Sequence, residues 1–378
     1  MKANSGSFLF GFCETRVLLP ANIASEIFIA LTFQHKYTTF FGLRKKYFSI
    51  FAPAMGKADR IIQDWMLPGA IVLGVSVYFL YRAIPFIHPA GHILNDIASE
   101  GQRVVIALLL FFQFVKISPH DFRFHRWHAF ALAFQVLVFL GFAAIARFNA
   151  EGEIRILLEC AMLCIICPTA SAAGVITEKL GGSLAGAVSY VTLSNLSATL
   201  LIPLVIPMVR PSADLGFWAY VGHIALRVFP LLLMPGLIAW VIRYTMPRLQ
   251  RKLMRLSRYA FYIWGVGLTL AMILATHALM LSKLSAGAMI CIVLVSMGAC
   301  ALQFFVGKHA GRDDVVRITA GQALGQKNTG FLIWLGYNYM TPVTSVAGGL
   351  YAIWQNLFNS WQLYRKNHSV NLPPDNRL

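Results

Sequence analysis

Apolar runs of about 15 to 25 residues, separated by short polar connectors, fill most of this 378-residue chain. A helix needs roughly 20 residues, at 1.5 Å each, to cross about 30 Å of hydrocarbon, so each run is long enough to span a membrane. Only 12% of the residues are charged, whereas a soluble domain carries about a quarter. The sequence therefore predicts an all-α membrane protein with ten transmembrane helices and no room for a soluble domain.

The ten predicted spans follow one another closely. They cover about residues 65–81, 97–115, 128–146, 154–177, 183–209, 217–241, 259–281, 286–306, 315–339 and 342–364. Residues 1–54 fit this plan poorly, because the apolar stretch 21–33 is too short to span. Met55 opens a natural lead-in to the first span. We expect residues 1–54 to be an N-terminal extension, either a non-native start or a segment at the membrane surface, and residues 367–378 to be a tail.

Lys and Arg are distributed unevenly over the connectors. The two tails and the connectors after even-numbered spans hold 24 of them, and the connectors after odd-numbered spans hold five. Basic connectors stay in the cytoplasm. This bias predicts a multi-pass protein of the cell (inner) membrane with both termini cytoplasmic. The net charge of +17 then orients the chain in the lipid bilayer, and no nucleic-acid partner is expected.

Two of the ten spans are abnormal. The fourth has Pro168 in its interior, followed by six small residues, so its helix should break there. The ninth has the polar, glycine-flanked sequence GQKNTG at residues 325–330. Each is the fourth span of a five-span half, and interrupted helices at corresponding positions indicate the central site of a secondary transporter. The halves, residues 55–210 and 211–366, contain an odd number of spans and are therefore expected to be inverted repeats.

Lys327 lies in the middle of the ninth span. Placing a lysine at the centre of a membrane costs roughly 2.5 to 3.5 kcal/mol, and such residues are usually functional. Its ammonium could hold the ends of the broken helices together, because helix C-termini favour a cation, or it could contact an anionic substrate. In the alternative arrangement the break is shallower and the side chain of Lys327 snorkels to water.

Three cysteines, Cys160, Cys164 and Cys167, are spaced four and three apart and share one helix face. Core packing explains them, and a soft metal or metalloid ligand role is the alternative. The sequence has no zinc spacing, phosphate loop or nucleophile elbow. We therefore expect neither catalysis nor a cofactor nor a bound structural metal.

At the two breaks the sequence resembles the bile acid:sodium symporter family, within the bile acid/auxin/arsenite transporter superfamily. Cys167-Pro168 match the family's break in the fourth helix, and Gly325 and Asn328 match its ninth-helix motif. The run SNLSATLLIPLVIP resembles the fifth helix. Gln135 matches the glutamine of the third helix, and Trp354-Gln355-Asn356 stand where the family has Trp-His-Asn.

The resemblance implies a ten-helix fold in which discontinuous helices four and nine cross within a core domain, beside a panel domain. It also implies, together with the breaks, which residues bind substrate or ion. These are Gln135, Pro168, Thr169, Ser171, Gly174, Asn195, Gln326, Lys327, Asn328, Thr329 and Asn356.

The sequence departs from the family at the sodium sites. The family uses Ser-Asn in helix four and Glu and Gln in helix nine, where this chain has Ala173, Gly174, Ala323 and Lys327. Sodium needs oxygen ligands, and a lysine cation would repel it. We therefore expect a secondary active transporter of a small organic, anionic solute that works by alternating access without sodium. Any ion coupling would run through a proton or a counter-substrate.

Two other functions stay open from the sequence. A sodium-dependent organic-anion symporter would follow the family directly. A metalloid efflux carrier would use Cys164 or Cys167 as a thiolate ligand.

Other charged residues lie within the predicted spans. Glu100 and Arg103, three apart, are expected to pair along one helix face. Glu159 is expected at the membrane interface. Arg227 is expected either to meet a substrate carboxylate or to snorkel to water.

Overall fold

Every regular element that the computed structural model describes is a helix. The described residues are 57–370, with gaps at 85, 87–88, 90, 150–151 and 283. The expected extension 1–54, with its proposed start at Met55, lies outside them, as does most of the expected tail. The chain divides into two units, Met1–Arg60 and Ile61–Leu378, and the features discussed below belong to the second.

Fourteen α-helices are described. They are α1 Lys57–Ala83, α2 Gly91–Lys116, α3 Arg126–Phe148, α4 Glu153–Ile166, α5 Ala173–Leu180, α6 Leu184–Val209, α7 Phe217–Leu232, α8 Met234–Thr245, α9 Pro247–Leu256, α10 Ala260–Leu281, α11 Ala286–His309, α12 Asp314–Gly325, α13 Thr329–Tyr339 and α14 Ser345–Val370. Short 3₁₀ turns occur at Pro119–Asp121, Ser257–Tyr259 and Pro342–Thr344.

Both spans that were expected to break consist of two helices. Residues 154–177 form α4 and α5, and residues 315–339 form α12 and α13. A third interruption was not expected: residues 217–241 form α7 and α8, which meet at Leu233. Pro230 and Pro235 flank this point, and each proline lacks the N–H that a continuous helix would use.

Six helical stretches among the described residues are long and apolar enough to cross a membrane. They are Ile93–Lys116, Arg126–Phe148, Leu184–Val209, Phe217–Thr245, Pro247–Leu281 and Ala286–His309. The broken helices are individually shorter, since α5 has 8 residues and α13 has 11. Each pair must therefore act together if it is to cross the bilayer.

The outer surface of the helices is apolar. Leu226 is 78% exposed, Leu137 68% and Ile290 61%, all in helices of high hydropathy. Soluble proteins rarely expose extended apolar surface, whereas lipid tails cover it without cost. The apolar exterior and the many apolar helices show that the chain is a multi-pass membrane protein.

The buried core lies around the broken helices. Helix α4 packs against α3 and α11, and α12 packs against α11 and α6. Helices α2, α8 and α10 form a neighbouring group in which α2 packs against the other two. This group meets the broken helices through α13, which contacts both α2 and α10.

Candidate functional site

The breaks in the two interrupted spans lie side by side. The backbone N–H of Ala170 donates to the carbonyl of Gln326 at 3.0 Å, and that of Asn328 donates to the carbonyl of Pro168 at 2.8 Å. Thr169 and Lys327 form an isolated antiparallel bridge. Each break thus satisfies backbone groups that the other one has freed, as non-helical backbone within a membrane requires. We call this meeting of residues 167–172 and 326–328 the crossing.

Thr169 ties the crossing to its surroundings. Its hydroxyl donates to the carbonyl of Ala323 at 2.7 Å and accepts from the hydroxyl of Ser194 at 3.2 Å. Its backbone N–H donates to the same Ser194 oxygen at 3.0 Å. Thr169 and Ser194 are both fully buried. The hydroxyl of Thr169 therefore links the first break to helices α6 and α12.

Replacing Thr169 by valine should lower the melting temperature of the protein. Valine keeps the shape of the side chain but leaves the buried carbonyl of Ala323 without its hydroxyl donor, which costs about 1 to 3 kcal/mol. The hydroxyl of Ser194 can still donate to the carbonyl of Val191. Thr177 is the matched control, because its buried hydroxyl has no hydrogen-bond partner among the described residues. Thermal unfolding in detergent should show a clear loss for Thr169→Val and little change for Thr177→Val. Equal losses would show that the hydrogen bonds of Thr169 do not matter.

Gln135 supports the end of α4. Its amide Nε2 donates to the carbonyl of Ile166 at 3.0 Å, and its Oε1 accepts from the hydroxyl of Tyr190 at 2.8 Å. All three side chains are fully buried. Carbonyls at a helix C-terminus need partners from outside the helix. Gln135 supplies one of them at the first break.

Gln355, on α14, holds the second break in the same way. The backbone N–H of Lys327 donates to its Oε1 at 2.8 Å, and its Nε2 donates to the carbonyl of Lys327 at 3.3 Å. The neighbouring Asn356, which we expected in the site, instead donates to Ala352 of its own helix. Gln355 occupies the middle position of the Trp-Gln-Asn motif, and a substrate- or ion-binding role of Asn356 stays a prediction.

The side chain of Lys327 is completely buried. Its amine Nζ has no hydrogen-bond partner among the described residues. Helices α4 and α12 both end beside it, and helix C-termini favour positive charge. The snorkelling arrangement finds no support in this burial.

The remaining residues expected in the site lie on both sides of the crossing. Asn328 caps α13 by accepting from the N–H of Phe331 at 3.3 Å, and Thr329 begins that helix. Gln326 is buried and bonded to Gln322. Ser171 is half-buried in the turn before α5.

Gly174 and Asn195 lie further from the bridge. Gly174 is in the first turn of α5, where an added Cβ would come within 2.9 Å of the end of the Leu184 side chain, so α5 and α6 pack closely here. Asn195 of α6 is buried and donates to Val191 at 2.8 Å. Its Oδ1 has no hydrogen-bond partner within the described part of the chain.

The cysteines of α4 are buried beside the crossing. Cys160, Cys164 and Cys167 are free thiols with almost no exposure. Cys167 donates to the carbonyl of Asn328 at 3.0 Å. Among the described residues no group of three or more His, Cys, Asp or Glu side chains could hold a metal ion. All three side chains belong to the hydrophobic core cluster, which agrees with a packing role.

Glu159 lies inside the protein, and its expected level at the membrane interface stays a prediction. Its side chain is fully buried, where its carboxylate faces Arg155 at 3.6 Å and Arg210 at 3.3 Å. The hydroxyl of Thr341 donates to the same carboxylate at 2.7 Å. A buried carboxylate requires such partners. The cluster ties α4 to the end of α6 and to the turn before α14.

Glu100 and Arg103 pair along α2, as expected. The guanidinium of Arg227, on α7, lies 3.3 Å from the other oxygen of Glu100. All three side chains are partly exposed. Arg227 therefore has a carboxylate partner within the protein.

A partly open cavity of about 270 Å³ lies near the Glu159 cluster. Its walls come from α4, α10, α13 and the turn before α14, and they are apolar apart from His277, Tyr337, Thr341 and Ser282. The hydroxyl of Tyr337 donates to Asn95 at 2.6 Å and lies 2.9 Å from His277 Nδ1. Its lining resembles that of small-molecule sites, and its volume is just below their range of about 300 to 1,000 Å³.

Comparison with known proteins agrees with the resemblance inferred from the motifs. Residues 103–264 match the family described as Sodium Bile acid symporter family. That region includes the first break, at Pro168, and the ion-paired residues Arg155, Glu159 and Arg210. No protein of curated function matches the chain. The match, together with the many apolar helices, supports membership of the chain in the sodium bile acid symporter family.

Proposed function

We propose that this protein is a secondary active transporter of a small organic anion that works by alternating access and does not use sodium. Membership in the family implies a secondary transporter of the bile acid or organic anion type. The observation that carries the sodium-independent part is the buried amine of Lys327, which has no hydrogen-bond partner among the described residues. Burying an amine without a hydrogen-bond partner lowers the free energy of unfolding. A function of Lys327 at the crossing explains why this cost is tolerated.

The amine of Lys327 takes the place of a bound cation. Ala173 and Ala323, at two positions where the family has sodium ligands, are both fully buried and offer no side-chain oxygen. A sodium ion within about 4 Å of the ammonium would meet repulsion of about 4 kcal/mol at an effective dielectric constant of 20. The ammonium itself supplies the positive charge that the ends of α4 and α12 favour.

Movement of one helix group against the other provides alternating access. Helices α2, α8 and α10 would form the panel. The core would consist of the helix pairs at the crossing, α4–α5 and α12–α13, together with α3, α6, α11 and α14. The proposal includes ten membrane crossings as two inverted five-helix repeats, with the paired helices α4–α5, α7–α8 and α12–α13 crossing once each. The two groups meet through α13, which begins two residues after Lys327, and this contact supports a moving boundary near that residue.

The charges near the cavity favour an anionic solute. Two arginines and one carboxylate form the Glu159 cluster, and Thr341 belongs both to that cluster and to the cavity wall. The apolar walls and the volume of about 270 Å³ suit a compact organic acid, since sites for drug-sized ligands have about 300 to 1,000 Å³.

A thermal-shift screen tests this function directly. Purified protein is heated with a series of organic acids, once in sodium chloride and once in choline chloride at the same ionic strength. We expect at least one acid to raise the melting temperature equally in both salts, because a ligand stabilises the state that it binds. Stabilisation in sodium alone would favour the sodium-dependent symporter. Stabilisation by arsenite that Cys167→Ser removes would favour the metalloid carrier.

The orientation in the membrane can be tested with single new cysteines. The side chains of Arg251, after α8, and Ala213, before α7, are both exposed, and the distribution of basic residues puts Arg251 in the cytoplasm. A membrane-impermeant maleimide added to intact cells should label Ala213→Cys and not Arg251→Cys, above the labelling of the parent chain. Opening the cells should make Arg251→Cys reactive. Labelling of both sites from outside would contradict the proposed ten crossings.

A further inference from the structure

Helix α9, Pro247–Leu256, carries a concentrated set of exposed cations. Arg248, Arg251, Lys252 and Arg255 all have exposed side chains. At about 100° per residue they fall within roughly 100° of the helix circumference. The sequence has no Asp or Glu between Asp214 and Asp313, so neither α9 nor its flanking helices α8 and α10 supply a carboxylate to neutralise them.

The opposite side of α9 is fixed to the protein. The amide of Gln250 donates to the carbonyl of Val115, at the end of α2, at 3.2 Å. Leu253 and Met254 pack against the hydrophobic core, and Ser257 is buried just beyond the helix. Because these contacts prevent the helix from rolling, the four cations stay together on its outer side.

Exposed apolar residues border the cations. Leu256, at the end of α9, is 48% exposed, and Met246 and Tyr244, just before it, are 52% and 57% exposed. Tyr259, just after the helix, is 44% exposed. A basic amphipathic helix with exposed apolar and aromatic side chains at its ends is typical of a helix that lies in the membrane interface. The apolar helices α8 and α10 on either side hold α9 at that level.

We infer that the outer side of α9 is a binding site for the phosphate headgroups of anionic phospholipids in the cytoplasmic leaflet. Clusters of four or more Lys and Arg next to a transmembrane helix attract such headgroups, and arginine binds phosphate oxygens with two parallel hydrogen bonds. The exposed apolar residues would contact the acyl chains of the same lipids. This site is separate from the crossing and does not depend on what the protein transports.

Native mass spectrometry of the delipidated, purified protein tests the inference. The probes are phosphatidylglycerol and phosphatidylcholine, added separately at equal concentration. The test variant is R248Q/R251Q/K252Q/R255Q. The control variant, R123Q/R126Q/K179Q/R312Q, removes four other exposed basic residues and changes the net charge equally. We expect the parent and the control to retain phosphatidylglycerol better than phosphatidylcholine, and the test variant to retain at least about tenfold less phosphatidylglycerol.

Three results would overturn the inference. These are equal binding of the two lipids by the parent, equal losses in the test and control variants, and full competition by millimolar inorganic phosphate, which would indicate a free-phosphate site. If the fourfold variant does not fold, the pairs R248Q/R251Q and K252Q/R255Q replace it. Each pair should then lose part of the phosphatidylglycerol binding, and unchanged binding in both would overturn the inference equally.

Discussion

Replacing Lys327 by alanine should abolish solute uptake while the protein still folds. The amine is the charged group of the crossing, and the ends of α4 and α12 would lose the cation beside them. No side-chain hydrogen bond is lost with it, because Nζ has no partner among the described residues. The measurement is uptake, by proteoliposomes, of the organic acid identified in the thermal-shift screen, and we expect a fall to the level of empty liposomes.

Lys327→Met separates the charge of the side chain from its volume. Methionine fills most of the same space, so the variant should melt at the same temperature as the parent or above it, since burying an unpaired polar group costs about 1 to 3 kcal/mol. Uptake should nevertheless be lost. Lys308→Ala is the control. Lys308 is in the last turn of α11, outside the crossing, and its amine lies over the ring of Phe358. Normal uptake by Lys327→Met would show that the charge is not needed.

The breaks themselves could be predicted from local sequence. Pro168 removes a backbone donor within an apolar run, and the polar segment 325–330 interrupts another; both effects act within a few residues of the chain. That the two breaks hydrogen-bond to each other is a contact between distant segments. The sequence suggested it only through the equivalent positions of the breaks in the two halves and through the family resemblance.

The unexpected features have the same physical origin. Arg155 lies one turn from Glu159 and could have been expected as its partner, whereas Arg210 and Thr341 reach it only through the fold. The interruption at Leu233 was missed because hydropathy stays high across Pro230 and Pro235. Residues 247–256 were interpreted only as a basic connector, because four of the ten are cations. The few apolar residues among them determine how α9 packs against the protein.

Gln355 contacts the second break, although the prediction selected its neighbour Asn356 for the site. Both of its amide atoms hydrogen-bond to the backbone of Lys327, a role that depends on which side of α14 faces the crossing. Asn356, one residue later, points about 100° away around the helix and bonds to its own backbone. Which of two neighbouring polar residues contacts the crossing can be decided only when the packed face of their helix is known.

Sodium should not stabilise the parent protein more than choline does. A bound ion raises the free energy of unfolding by RT ln(1 + [Na⁺]/Kd), which is about 1.4 kcal/mol at ten times Kd. With Ala173 and Ala323 at two of the family's ligand positions and the amine of Lys327 fully buried nearby, we expect no such gain. The measurement is the melting temperature in sodium chloride and in choline chloride at equal ionic strength.

The double variant Ala323→Glu/Lys327→Gln should gain a sodium response. It introduces three side-chain oxygens where the family binds sodium, and it removes the competing ammonium. Its melting temperature should be lower than that of the parent because Ala323 is fully buried, so the informative quantity is the difference between the two salts within each variant. Ala323→Glu alone should show no difference, because the carboxylate would pair with Lys327. Lys327→Gln alone should show none either, since it adds a single oxygen. A sodium-specific stabilisation of the parent would instead return the protein to the ordinary symporter mechanism, with Lys327 serving another purpose at the crossing.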